Sequence, residues 1–307
     1  MATFNGLLKK MEGSIGDLTF KQVNGQTVVS QKITAISNPR SEAQMRTRMR
    51  FTNIVQMYRG IRPLLNNGYE NRPAGCSDYN MFVCINMQKP AVYLTKQQRA
   101  GGACVAAPYQ ITQGSLPSIV LSGSGNATKT DIYVGSLTLG GTTTVGQFSQ
   151  AVVNNNSDYK YGDQISFFRI QQKTNEETSI PYCQFAGTKV VLDSADERKL
   201  WDLVDRTGFA TSDSCISHNE SNFAGAFGWV HSRKSNGKTL VSSQSLVAVN
   251  DTILNQHQGD MAFNLAASSY GQTQSVFLSP DNESSTDTGN SNNGNGGNNG
   301  GGGNDSL

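Results

Sequence analysis

The segment from Gly13 to Tyr69 constrains the fold more than any other part of the sequence, because it sets a hairpin signal directly ahead of a helix signal. Leu18, Phe20 and Gln22 alternate with Thr19, Lys21 and Val23; Asn24-Gly25 follows, and Thr27, Val28 and Val29 lead on to Ile33. Asn-Gly between two extended runs predicts a β-hairpin, since both residues tolerate the positive φ of a tight turn. Asn38-Pro39 then halts extended pairing. Ser41, with Gln44 three residues on, has the pattern of a capping box and predicts a helix start. Phe51, Ile54, Val55, Tyr58, Ile61 and Leu65 fall on one helical stripe that has to be covered. Arg46, Arg50 and Arg59 lie mostly off that stripe, with Arg48 nearer its edge. Pro63 is expected to kink or restart the helix, and Asn67-Gly68 to end it.

Beyond this block, a second helix is expected after Ser77, running to about Met87 and closed by Pro90. From about Tyr109 the texture changes to short apolar runs separated by Gly and Asn. Candidate strands are Ser118–Leu121, Thr130–Leu139, Gln164–Gln171, Thr188–Leu192, Ala224–Arg233 and Lys238–Val249, the last two joined by a Ser235-Asn236-Gly237 turn. Ser194–Val204 reads as one short helix. Charged residues make up only 16% of the chain, and the polar balance is carried by Gly, Ser, Thr, Asn and Gln, which favours short strands and tight turns. The expected fold is mainly β: an immunoglobulin-like β-sandwich body behind an N-terminal β-hairpin with α-helices. Of the last 27 residues 16 are Gly or Asn, too polar to offset their ordering entropy, so a disordered Gly/Asn-rich tail is expected. The regions expected are 1–100 (hairpin and helices), 101–193 (β-sandwich), 194–279 (a second β region or the completion of the same sandwich) and 280–307 (tail).

The net charge of +2 conceals an asymmetry. Residues 1–62 carry ten Lys and Arg against three Asp and Glu; the remainder carries fifteen against twenty. A basic head on an acidic body suits nucleic acid, an acidic protein partner, or packing against its own or a neighbour's body. No segment has the 18 or more apolar residues of a membrane span, and the N-terminus has no signal-peptide core, so a chain made in the cytoplasm, with no membrane partner, is expected. Five scattered cysteines without CxxC spacing (Cys76, Cys84, Cys104, Cys183 and Cys215) point to free thiols.

Candidate chemistry is sparse. Gly123–Thr130 has the glycines of a phosphate loop, but a strand-like Asp131-Ile132-Tyr133-Val134 follows where a helix would be needed. His218, His231 and His257 have no metal-ligand spacing, although Cys215 near His218 and Glu220 leaves a nucleophile pairing open. Asp193, Asp196, Glu197, Asp202 and Asp205 read as a solvated helical face rather than an ion site, and Asp158 and Asp163 as part of a turn. No catalytic residue, cofactor or metal is therefore assigned. The arginines Arg40, Arg46, Arg48, Arg50, Arg59 and Arg62 are the most suggestive set; Arg46, Arg48, Arg50, Arg59 and Arg62 are the candidate partner-binding residues.

The opening Gly-x-x-Gly-x-x-x-Phe, Asn24-Gly25, Val28-Val29, and then Asn38-Pro39-Arg40-Ser41 with Ala43-Gln44 to Arg50-Phe51, resembles a family of unknown function found in Bacteroidota and their phages. Trp229-Val230-His231, Asn236-Gly237-Lys238 and Val241–Gln244 resemble its ending more loosely. The resemblance implies a β-rich body behind a hairpin-helix head in a bacterial or phage setting, and carries no catalytic residues. The expected function is a non-enzymatic structural or interaction protein of a phage or prophage particle or a related bacterial assembly, in the host cytoplasm or the virion. The alternatives are a nucleic-acid-binding protein using the basic head and, ranked last, an enzyme using Cys215 with His218.

Overall fold

The computed structural model describes residues 2–4, 12–23, 26–33, 41–65 and 67–271. The Asn24-Gly25 turn, Asn38-Pro39, Arg40 and the expected tail lie outside the described residues. The head carries a four-stranded antiparallel sheet of β1 (Ala2–Phe4), β2 (Gly13–Ile15), β3 (Leu18–Val23) and β4 (Gln26–Gln31), in the order β1-β4-β3-β2. The expected hairpin is present, with Val23 opposite Gln26 and Leu18 opposite Gln31. Its register puts Ile15, Leu18, Phe20 and Val29 on one face, and Ile15 and Leu18 remain exposed.

Three helices follow: α1 (Glu42–Ile61), α2 (Asp78–Asn86) and α3 (Lys96–Ala100). Ser41 is the N-cap of α1 but makes no side-chain capping bond, so the expected capping box is not formed. Reciprocal boxes form instead at Thr95–Gln98 and Thr144–Gln147. The body contains β5 (Gln110–Thr112), β6 (Leu121–Ser122), β7 (Lys129–Tyr133), α4 (Val145–Asn155), β8 (Gln164–Thr174), β9 (Pro181–Val191), β10 (Ala210–Ser212) and β11 (Cys215–Ser217). It continues through β12 (Gly225–Ser235), β13 (Lys238–Val241), β14 (Gln244–Ser245) and β15 (Val247–Val249) to α5 (Thr252–Gln256) and α6 (Gly259–Ser269). Helices α3, α4, α5 and α6 have no counterpart in the sequence-based expectations. The expected helix at Ser194–Val204 is a turn region with a single 3₁₀ turn, Leu200–Asp202.

The protein is mainly β, built from several antiparallel sheets with helices. Its centre is the five-stranded sheet β13-β12-β8-β9, with β15 also paired to β12. Because β12 pairs with β8, segments on either side of residue 194 share one sheet. Period-2 alternation sends the side chains of these strands into two cores. Phe168, Ile170, Ala226 and Val230 face a core shared with Ile54, Met57 and Ile61 of α1 and Phe82 of α2. Ile165, Phe167, Phe227 and Trp229 face a second core with Phe148 of α4 and with Ile132 and Ile216 of the small sheet β10-β11-β7-β6. Both faces of β8 and β12 are thus covered, which is why these strands read as near-continuous apolar runs.

A stretch outside the strands, Ala103–Ala107, is buried in the first core; the Cys104 N–H donates to the Pro181 carbonyl of β9 at 2.9 Å, and side-chain amides supply further backbone partners. The Asn53 amide donates to the Val105 carbonyl at 2.9 Å and its oxygen accepts from the Val105 N–H at 2.8 Å, while Gln172 accepts from the Ala106 N–H at 2.7 Å. These bonds satisfy polar groups that burial would otherwise leave orphaned. A third, smaller cluster packs Met45 and Met49 of α1 on Phe263, Ala266 and Ala267 of α6.

Candidate functional site

The expected stripe of α1 is buried at Ile54, Ile61 and Leu65 and packs against the core at Tyr58, while Phe51 and Val55 fall outside it. The buried face of the helix is Met45, Met49, Asn53, Ile54, Met57 and Ile61. Phe51, expected in the core stripe, is 40% exposed. Methionine at positions 45, 49 and 57 made the rest of the buried face less conspicuous than Phe51. The opposite face reads Gln44, Arg48, Phe51, Val55, Arg59 and Arg62, a spacing that keeps one outward line along the helix.

The five candidate arginines separate by environment. Arg46 is consumed within the chain: its Nε donates to Glu42 at 2.9 Å, its Nη1 lies 3.8 Å from Asp260, and its guanidinium stands 3.8 Å over the Phe263 ring. Arg50 is half-buried, with its Nε enclosed and lacking a hydrogen-bond partner among the described residues. Arg48, Arg59 and Arg62 are exposed and make no ion pair among the described residues. The outer face therefore offers three guanidinium groups without an ion pair among the described residues, flanking the exposed Phe51 and the half-buried Val55.

The other constellations resolve into local structure. Cys215 lies at a strand end beside Lys129, Asp131 and Asp213, and burial pushes its thiol up, away from the thiolate a nucleophile needs. His218 is buried against Phe227, the rings stacked 3.9 Å apart, with Phe223 edge-on. No hydrogen bond joins Cys215 to His218 among the described residues. Asp193, Asp196 and Asp205 do not share a helical face as expected. Each caps its own turn, accepting from the amides of Ala195, Arg198 and Thr207 respectively. The Gly123–Thr130 loop contains a 3₁₀ turn and connects β6 to β7, so a strand follows it and no helix N-terminus faces a phosphate.

Asp163 closes the expected turn before β8, its N–H donating to the Lys160 carbonyl, and is also the centre of a buried polar cluster. It accepts from Arg233 Nε at 2.7 Å and Nη2 at 2.6 Å, from His231 Nε2 at 2.8 Å, and from the Lys160 amide at 2.9 Å. Burial raises its pKa, but the bonds from Arg233, His231 and the Lys160 amide outweigh that and hold the carboxyl below its ordinary range. Burial pushes His231 down and outweighs the pull of Asp163, so a neutral imidazole donates from Nε2. Tyr159 stacks on that imidazole at 4.3 Å. His231 Nδ1 is enclosed and lacks a partner among the described residues. The pair has the polarity of a general base, yet no nucleophile is bonded to Nδ1. Its evident work is to tie the 158–163 turn to β12. The sequence signal was available, since Asp163 adjoins β8 and Arg233 lies in its partner strand β12, but only the register aligns them.

No family model matches this chain, and no curated protein or solved structure is significantly similar to it. Among the described residues no helix is long and apolar enough to cross a membrane, and no group of three or more His, Cys, Asp or Glu side chains is arranged to hold a metal ion.

Proposed function

We propose that the protein is a non-enzymatic structural or interaction protein that docks onto a protein partner through the outward face of α1. The observation that carries this reading is the line Arg48, Phe51, Val55, Arg59 and Arg62, where cations without an ion pair among the described residues flank a large exposed aromatic. Aromatic and arginine side chains side by side are the composition of an interface centre, and a solvated helix face has no need of Phe51. The partner surface is acidic, in keeping with a basic head on a chain whose remainder is acidic. The setting is that implied by the family resemblance: a phage or prophage particle, or a bacterial assembly derived from one. The two antiparallel sheets that face each other across the second core support an immunoglobulin-like sandwich reading of the body, with α4 as an addition at its side.

A photo-crosslinking residue at position 51 tests the docking face. It is expected to capture one discrete partner in particles or cell extract, and a Phe51→Glu, Arg48→Glu variant is expected to leave the particle while remaining folded. Mass spectrometry of purified particles that never detects the chain, or a double variant that stays bound, sinks the proposal. A second reading, nucleic-acid binding, is favoured by the same three guanidinium groups lying along one line. It requires a gel shift that weakens steeply with salt and vanishes when Arg48, Arg59 and Arg62 are changed to Ala; no shift at low salt removes it.

A further inference from the structure

The helical layer leaves one end of the central sheet uncovered. α1 stops at Ile61, and the turn after it reaches only as far as Gly187, whose missing side chain leaves room for Leu64 at a distance of 3.1 Å from an added Cβ. Beyond that point a cleft of about 400 Å³ opens between the turn and the sheet. Strand register fixes its floor. Ser166 lies between Lys189 of β9 and Val230 of β12; Gln164 lies between Val191 and Ser232 one row on; Lys234 faces Thr239 beyond them. Paired residues share a face, so all of these lie on the cleft side of the sheet.

The hydrogen-bond inventory of this floor is one-sided. Ser166, only 4% exposed, accepts from the Gln164 amide at 2.8 Å and so keeps its own proton to donate. Ser232 and Thr239 add two more hydroxyls, and Lys189 and Lys234 make no ion pair among the described residues. Arg233 also borders the cleft, but its charge is committed to Asp163. Among the described residues no carboxylate lines the space. Two unneutralised ammonium groups and three hydroxyl donors call for an acceptor-rich anion, and a phosphate with several terminal oxygens uses them better than a carboxylate with two. Apart from Asn67 and Thr112, whose hydroxyl donates to the Ser242 carbonyl, the remaining side chains of the wall are apolar: Leu64, Leu65, Phe168 and Val230 offer a surface for a flat or aliphatic group, and the volume is that of a small-ligand site.

We propose that this cleft binds a small organic phosphate, with its phosphate between Lys189 and Lys234 and its organic part against Phe168 and Leu64. The site is separate from the outward line of α1, and its failure would leave the docking reading untouched.

Isothermal titration calorimetry at low salt with adenosine 5′-monophosphate as the probe tests it, with adenosine and inorganic phosphate as the two halves. Adenosine monophosphate is expected to bind one site per chain and more tightly than either half. Lys189→Met and Lys234→Met, both on side chains at the surface of folded strands, are expected to weaken it roughly tenfold each, as loss of a charge-assisted hydrogen bond does. Lys173→Met, which removes the same charge outside the cleft, is expected to change little. Absence of saturable binding at millimolar probe overturns the proposal. So does binding equal for adenosine and adenosine monophosphate, equal for inorganic phosphate, or indifferent to both cleft lysines in variants whose circular dichroism is unchanged.

Discussion

Replacing Asp163 by Asn removes one charge from the best-connected polar group in the body and changes almost no volume. The carboxylate is 2% exposed and takes two bonds from Arg233 and one from His231, while the Lys160 amide bond survives in the variant because the Asn oxygen accepts it. Breaking a buried ion pair from one side costs about 3–5 kcal/mol when the abandoned charge stays dry. Arg233 is 22% exposed and regains water in part, which lowers the expected cost to about 2–3 kcal/mol. At about 2–4 °C per kcal/mol for a chain of this size, Tm should fall by about 5–10 °C. Urea titration of the wild type, Asp163→Asn, Arg233→Met and the double variant gives the coupling directly, and it should exceed about 1 kcal/mol. A cost under about 0.5 kcal/mol for Asp163→Asn, or strict additivity of the two changes, would refute the view that this cluster clamps the 158–163 turn to β12.

The three buried titrating groups set the acid limit. His218 and His231 have pKa values depressed by burial, so they contribute stability that is present above the ordinary histidine range and lost as pH falls through their folded values; Asp163, held low by Arg233 and His231, loses its share at still lower pH. Neither ring nitrogen of His218 has a hydrogen-bond partner among the described residues, and Glu220 lies 3.9 Å from its Nε2, so His218→Phe should flatten the decline of Tm between neutral pH and about pH 5, and a slope equal to wild type would contradict this. Gly225 holds φ +142° where an added Cβ would run into the Ile170 carbonyl oxygen, so Gly225→Ala should cost ~3–5 kcal/mol in a urea titration. Cys215, with its thiol pushed up by burial, should react with iodoacetamide at pH 8 more slowly than free cysteine; faster reaction would reopen a nucleophilic role.

Local chemistry was legible wherever a few neighbouring residues decide the conformation. The hairpin of β3 and β4, the start of α2 at Ser77 and the strands β8 and β12 follow from turn residues, caps and apolar runs that act within a few positions. Helix α4 was hidden because Val145–Asn155 is poor in charge and rich in β-branched residues, and its existence rests on packing Phe148 and Val152 into the second core. On α1 the stripe was right at Ile54, Tyr58, Ile61 and Leu65 but wrong at Phe51, for a related reason. Aromatic Phe51 outweighs Met45, Met49 and Met57 on any sequence scale, yet burial is granted by the surfaces available, and those lie under the methionines.

The sequence by itself determined the mainly β character, the hairpin-helix order of the head and the charge asymmetry, all of which depend on composition and short-range spacing. Tertiary structure decided which charges are free. Arg46 is neutralised by residues from α1 and α6, Asp163 meets Arg233 only through pairing of distant strands, and Lys189 and Lys234 share a cleft because β9, β8, β12 and β13 lie in register. A charge can be counted along the chain, but its partner is set by which strands and helices come to lie side by side.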